Sequence, residues 1–183
     1  MSTKEQLLDT AENHRLAGNY EAAKEAYNKI ISLDQSDDIS DVHAIRGLAE
    51  VYRMQENFGQ ATKYYNQAKE QYEKANHYIG VGYACLGLGQ LKRHNNELDA
   101  AKAFVFESVN ALNKTEDSYG HADAKIELGH IFYSQLNYIE AIESFEAALT
   151  IYQEVQDGWG MAAASFGVAK IKNINEEYTD AIN

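Results

Sequence analysis

The sequence contains no proline among its 183 residues, although proline makes up about 5% of typical proteins. Proline breaks helices and is common in turns, so its absence disfavours a loop-rich fold and suits long helices with short connections. There is a single cysteine, Cys85, which excludes an intramolecular disulfide and gives no sign of an oxidising compartment. The sequence also lacks any apolar run of about 20 residues, so no transmembrane helix is expected.

Positive charge is scarce as well: 16 Lys and Arg residues stand against 28 Asp and Glu residues, and the formal net charge is −12. A surface of that sign disfavours nucleic-acid backbones and anionic membranes as binding partners. Residues 1–6 contain no apolar segment of the kind found in export signals. We therefore expect a cytoplasmic protein whose partners are proteins or peptides.

What the sequence does contain is a repeat with a period of 40 residues. One column of the repeat consists of Ala44, Ala84, Ala124 and Ala164. Two further columns consist of Leu48, Leu88, Leu128 and Val168, and of Ala61, Ala101, Ala141 and Ala181. A fixed period of this length indicates a solenoid, in which each unit buries its apolar face against its neighbours. We predict one solenoid domain over residues 1–183, with about four and a half helical hairpins at 4–36, 41–77, 79–117, 119–157 and 159–183, the last of them truncated.

The spacing within one unit resembles the tetratricopeptide repeat, whose pattern is L-G-x-x-Y followed by A-x-x-x-F. The best copy has Leu128-Gly129 and Phe132 on a first helix, then Ala141 and Phe145 on a second. Its 40-residue period is similar to the long variants of cell-polarity adaptors, kinesin light chains and bacterial peptide-sensing regulators. The resemblance implies an all-α fold, a right-handed superhelical solenoid of antiparallel helix pairs, and a binding role rather than chemistry.

The pattern predicts nine helices and the start of a tenth. Their expected bounds are 3–17, 20–33, 41–55, 58–75, 79–95, 98–113, 119–135, 138–156 and 159–173, with a stub that begins at Tyr178. Small residues such as Gly89 and Gly129 are predicted to lie where the two helices of a hairpin cross, because they allow the backbones to approach closely. The truncated last repeat leaves Phe166, Val168 and Ile171 short of cover, which predicts self-association through that end.

A search for chemical motifs gives little. The sequence has no G-x-S-x-G, H-E-x-x-H or C-x-x-C motif. Histidines at i, i+3 or i+4, which metal sites on helices use, are also missing, so no metal, cofactor or catalytic residue is predicted. Cys85 is interpreted as a buried, inert thiol. We expect a protein without enzymatic activity.

The resemblance also implies which residues form the binding surface, because the concave face of this family is lined by first-helix side chains. Carried over by position, the candidate partner-binding residues are Arg15, Arg46, Arg53, Tyr83, Arg93, His130, Tyr133 and Lys170. They include all four arginines of the chain. Three of these, Arg15, Arg53 and Arg93, share one repeat position and are expected to form a ladder with steps of roughly 10 Å.

Two interpretations of the arginine ladder stay open. Arginine is suited to bidentate capture of carboxylates, which indicates a groove for an acidic peptide. Alternatively, Glu12–Arg15 and Glu50–Arg53 are local i,i+3 pairs. Exposed pairs contribute about 0–1 kcal/mol, so replacing Arg53 and Arg93 is expected to leave stability nearly unchanged. The predicted function is a protein-interaction scaffold; the alternative is a peptide-sensing domain that controls an output domain outside this sequence.

Overall fold

The computed structural model describes the backbone of residues 3–33 and 39–182, and the side chains of residues 3–33 and 39–174. These residues form helices and no strands. The helices are α1 (Lys4–Leu16), α2 (Tyr20–Ser32), α3 (Ile39–Met54), α4 (Phe58–Lys74), α5 (Tyr78–His94), α6 (Leu98–Leu112), α7 (Ser118–Ser134), α8 (Tyr138–Glu154) and α9 (Gly158–Ile182). The prediction of an all-α solenoid built from antiparallel helix pairs is confirmed, and the predicted bounds agree within two residues up to the start of α9.

The end of α9 differs from the prediction. A break after Asn173 and a new helix from Tyr178 were expected, but α9 continues without interruption to Ile182. Most reversals in this chain place a non-glycine residue in the left-handed region, which carries an energetic cost. A straight helix keeps its backbone hydrogen bonds without that cost. The predicted packing of Ala181 lies outside the residues whose side chains are described.

Most turns share one backbone geometry. Glu56, Asn76, Asn96, Leu136 and Gln156 all have φ between 54° and 62°, and they recur at multiples of 20 residues. At the first of them, the N–H of Asn57 donates to the carbonyl of Tyr52 and the N–H of Glu56 donates to that of Arg53. This is the Schellman arrangement, which satisfies the last carbonyls of a helix and reverses the chain in three residues.

The helices form two layers. The backbone of each odd-numbered helix packs closely against that of the next odd-numbered one, whereas the described backbones of successive even-numbered helices lie further apart. An ion pair of 2.7 Å between Lys69 of α4 and Glu107 of α6 bridges one of these wider gaps. The odd-numbered helices are therefore the inner, more crowded layer of the superhelix, and their free sides form its concave face. This arrangement places the predicted binding residues, which all lie on α1, α3, α5, α7 and α9, in the inner layer.

Rings packed on glycines hold neighbouring hairpins together. A Cβ atom added to Gly47 would overlap the ring of Tyr27, and one added to Gly87 would overlap the ring of Tyr65. The Phe145 ring lies between Gly129 of its own hairpin and Gly167 of the next, within 2.8 Å of either added Cβ. Gly129 thus lies at a helix crossing, as predicted. These rings are almost completely buried and supply much of the apolar area that the solenoid removes from water.

Candidate functional site

The first two ladder arginines are paired within their own hairpins. Arg15 donates from Nε and Nη2 to one carboxylate oxygen of Glu12, at 2.9 and 2.7 Å. The other oxygen of Glu12 accepts a 2.6 Å hydrogen bond from the Tyr27 hydroxyl. Arg53 repeats the arrangement on Glu50, at 3.2 and 2.9 Å. The local-pairing interpretation therefore describes both residues, and each guanidinium uses two of its five N–H donors in this way.

Arg93 has a different partner. Its Nε donates to Oε1 of Glu127 at 2.6 Å, and its Nη2 reaches Oε2 of the same carboxylate at 3.4 Å. Glu127 belongs to α7, so this ion pair joins two hairpins. The Glu127 side chain is only 3% exposed, against 31% for Arg93. Because removing one member of a buried pair leaves an unpaired buried charge, the expectation that Arg93 can be replaced without loss of stability is revised.

The pKa values of the Glu127 and Glu50 carboxyl groups are shifted in opposite directions, although burial acts to raise both. Burial is the main cause that raises the pKa of Glu127 above its ordinary value, and it outweighs the attraction of Arg93. Burial also acts to raise the pKa of Glu50, but the charges of Arg53 and Arg46 prevail and leave that pKa below its ordinary value. Glu50 is therefore the better stabilised carboxylate of the two, and Glu127 depends more on its single partner.

Arg46 and Tyr83 lie beside each other on α3 and α5. The guanidinium carbon of Arg46 is 5.9 Å from the centre of the Tyr83 ring, within the range of a cation–π contact. Burial acts to lower the pKa of Arg46, but the neighbouring Tyr72, Glu50 and Glu12 raise it overall. Burial, together with Asp117 and Asp123, raises the pKa of the Tyr83 hydroxyl. Arg46 thus stays charged, and Tyr83 stays neutral.

The C-terminal part of the face combines a cation with aromatic rings. The ammonium group of Lys170 lies 4.3 Å from the centre of the Tyr133 ring, and the His130 ring meets that of Phe145 edge-on at 5.2 Å. Burial, and then Arg93 and Lys170, lower the pKa of His130 to about 4. His130 is therefore neutral near pH 7. Lys170 makes no ion pair with any residue whose side chain is described.

A pocket of about 470 Å³ opens where three hairpins meet on this face. The second hairpin contributes Arg53 and Phe58, the third contributes Gln90 and Arg93, and the fourth contributes three residues. Those three are Ile126, Glu127 and His130. The pocket therefore combines charged, amide, imidazole and aliphatic groups, and three of the eight predicted binding residues line it.

His43 and His94 have separate aromatic partners. The Nδ1 atom of His43 is 2.6 Å from the Tyr72 hydroxyl, and the His94 ring packs on Phe58 at 4.3 Å. Within the described part of the chain, no group of three or more His, Cys, Asp or Glu residues is arranged to hold a metal ion.

The sequence interpretation missed Glu127, although the repeat contains a sign of it. Its column holds Gly47, Gly87 and Gly167 in the second, third and fifth hairpins, so a glutamate in the fourth departs from its neighbours. A second exception explains it: Gln90 stands where the two preceding hairpins have Glu12 and Glu50. Arg93 therefore lacks a carboxylate in its own hairpin and takes one from the next.

Comparison with protein families gives two matches. Residues 46–183, about three quarters of the chain, match the model of the family "Soluble NSF attachment protein, SNAP". Residues 11–37 match a tetratricopeptide repeat model. The chain belongs to the soluble NSF attachment protein family. Together the two matches show a protein of tetratricopeptide-like repeats, as the sequence resemblance predicted. A search of curated proteins gave no match.

Solved structures of other proteins share this helical fold. Aspartyl phosphate phosphatase F from Bacillus subtilis matches with a TM-score of 0.82 and 12% identity over 97% of this chain, which spans 48% of that protein. BtubC (BKLC) from P. vanneervenii gives a TM-score of 0.70 and 17% identity, covering 96% of this chain and 80% of that one. The kinesin light chain TPR-like repeats from Podosopora anserina give 0.69 and 16%, covering 99% and 92%.

Identities this low show the fold alone. The repeat architecture is typical of protein-interaction scaffolds, and it is more often found in binding proteins than in enzymes. None of the helices, over their described residues, has the length and apolar character of a membrane-crossing segment.

Proposed function

We propose that this protein is a non-enzymatic scaffold that binds a segment of a partner protein along its concave face. The observation that carries the proposal is the pocket of about 470 Å³ formed jointly by three hairpins on the inner layer. Its lining is mostly charged and polar, with Arg53, Arg93 and Glu127 among the lining residues, so it offers hydrogen bonds and charges more than apolar area to a bound segment. The predicted residues Arg15, Arg46, Arg53, Tyr83, Arg93, His130, Tyr133 and Lys170 extend this surface from α1 to α9.

The partner segment is proposed to contain acidic residues. The chain as a whole carries a charge of −12, yet all of its arginines lie on this face. Three of them already hold carboxylates, so an acidic ligand would meet Lys170 and the unused N–H donors of the guanidinium groups. Because the attraction is local and screened beyond about 10 Å at 0.1 M salt, it acts at contact range.

A selection from a library of random peptides tests this proposal. We expect selected peptides to be enriched in Asp and Glu, and to bind less tightly to the Lys170→Ala variant. A hydrogen bond to a charged group contributes about 1.5–3 kcal/mol, so the loss should be roughly tenfold or more. The matched control is Lys29→Ala, which removes an exposed lysine from an outer helix. Failure to select any peptide, or an equal loss in both variants, would contradict the proposal.

Self-association through the last repeat stays a proposal with a revised basis. Ile171 was expected to be short of cover, but it is completely buried with Ala141 and Phe145. Phe166, in contrast, is 71% exposed, and it is the residue that would be covered in a dimer. Sedimentation at increasing concentration should show a dimer that Phe166→Ser weakens; a monomer at all concentrations would refute the idea.

A further inference from the structure

The junction between the third and fourth hairpins, α6 to α7, is built differently from the junctions before and after it. Five residues, 113–117, connect α6 to α7, whereas three connect α4 to α5 and α8 to α9. The two short connections each contain a residue with positive φ, Asn76 and Gln156, and the segment 113–117 contains none. The hydroxyl and the backbone N–H of Thr115 both donate to the carbonyl of Leu112, at 2.7 and 2.8 Å. This connection is longer and uses a side chain as well as the backbone.

The same junction has smaller core residues. The second hairpin presents the rings of Tyr65 and Tyr72 to the next helix, and the fourth presents Phe145 and Tyr152. At the corresponding positions the third hairpin has Val105 and Leu112. Among the four contacts between an even-numbered helix and the odd-numbered helix that follows it, the one between α6 and α7 is the least extensive, although α5 and α7 make the most extensive contact between odd-numbered helices. Because buried rings contribute the largest apolar areas, the outer half of this junction lacks the apolar area that the tyrosine and phenylalanine rings supply elsewhere.

At this junction an ion pair joins the two inner helices, beside an apolar cluster that includes Leu86 of α5 and Ala124 and Leu128 of α7. Arg93 on α5 and the buried Glu127 on α7 make the only ion pair between odd-numbered helices beyond α3 among the described side chains. An ion pair is directional and depends on distance, and its buried member has little else to hold it. A modest rotation of the two halves of the solenoid would separate the two groups.

We infer that the α6–α7 junction is the hinge of the solenoid and that the Arg93–Glu127 ion pair is the latch that holds it in the observed arrangement. The concave pocket spans this hinge, with Arg53 and Gln90 on one side and Ile126 and His130 on the other. Movement at the hinge therefore changes the width of the pocket. Hinges of this kind absorb their change in a few residues between rigid units.

Distances between paired spin labels test the inference on the protein without any partner. Gly59, Asp99 and Ile139 occupy equivalent exposed positions on α4, α6 and α8, so Asp99→Cys with Ile139→Cys reports on the hinge. The matched control, Gly59→Cys with Asp99→Cys, spans the α4–α5 junction with its tyrosine rings. Cys85 can remain, because burial above all raises the pKa of its thiol to about 12 and leaves it unlabelled.

We expect a broader distance distribution for the 99–139 pair than for the 59–99 pair. Glu127→Gln should shift or broaden the 99–139 distribution and leave the 59–99 distribution unchanged. The double variant Val105→Phe with Glu127→Gly places a ring on a glycine at this junction, as at the other junctions, and should narrow the 99–139 distance distribution. Equal widths for the two pairs in the unmodified protein would overturn the inference, even if a variant failed to fold. Equal broadening of both pairs by Glu127→Gln would also overturn it. Because no ligand is present, either result is independent of whether the concave face binds a partner.

Discussion

Arg53 and Arg93 occupy the same position in successive hairpins, yet they stabilise different parts of the molecule. Arg53 pairs with Glu50 three residues earlier on the same helix, at 2.9 Å. Arg93 faces Gln90 at that position and pairs instead with Glu127 on the next inner helix, at 2.6 Å. The comparison shows that two exceptions to the repeat, glutamine at position 90 and glutamate at position 127, replace a contact within a hairpin by a contact between hairpins.

The largest expected effect on stability comes from removing Arg93. Arg93→Ala leaves the buried Glu127 carboxylate without its partner, which should cost about 3 kcal/mol, the lower end of the range for breaking buried pairs. Arg53→Ala removes a more accessible local pair and should cost about 1 kcal/mol or less. Chemical denaturation of both variants measures the difference. Equal losses of unfolding free energy in the two variants would show that the Arg93–Glu127 pair stabilises the protein no more than the Arg53–Glu50 pair does.

The second prediction concerns the ring-on-glycine contacts at the other junctions. Gly87→Ala would place a methyl group inside the buried Tyr65 ring, and such overpacking costs about 1–3 kcal/mol. The control is Gly59→Ala, where nothing lies within 4 Å of the added carbon. That change should be neutral or stabilise the helix by up to about 1 kcal/mol. If Gly87→Ala melts like the unmodified protein, the junction is looser than its geometry indicates.

The third prediction concerns His130. Its ring packs on that of Phe145, and the charge of Arg93 helps to lower its pKa. Burial, Arg93 and Lys170 lower its pKa in the folded state to about 4, from an ordinary value of 6.5. Between these two pH values the unfolded chain binds more protons than the folded one, so stability falls as the pH falls. His130→Gln should remove this contribution and flatten the dependence of the unfolding free energy on pH between 6.5 and 4. An unchanged slope would contradict it.

The smallest expected effect comes from giving Arg93 a glutamate three residues earlier, as Glu50 stands to Arg53. Gln90→Glu places a carboxylate three residues before Arg93 and should allow a local pair like that of Glu50. Such local pairs contribute about 0.2–0.5 kcal/mol on exposed helices. We therefore expect Gln90→Glu to recover a few tenths of a kcal/mol in the Glu127→Gln background, measured by denaturation. No recovery would indicate that the position of Arg93 is fixed by its surroundings.

Much of the fold follows from the sequence, because packing between repeats imposes a period that the residues must obey. The alanine and leucine columns, the glycines at helix crossings and the bounds of eight helices were all predictable from that period. The end of α9 was not predictable from the period. The periodic pattern indicates where the turn occurs in the other hairpins, but it does not indicate whether packing offsets the energetic cost of a left-handed residue in this one.

The candidate site was likewise predictable only in part from the sequence. The resemblance of the sequence to the tetratricopeptide repeat indicated which helices form the inner layer, and the spacing of charges suggested the local pairs Glu12–Arg15 and Glu50–Arg53. Only the tertiary structure decided that Arg93 pairs with Glu127, 34 residues away, that three hairpins enclose one pocket, and that Lys170 lies over Tyr133. The physical reason is that spacing along a helix fixes neighbours within that helix, whereas contacts between helices depend on the packing of rings, glycines and connections that no single spacing specifies.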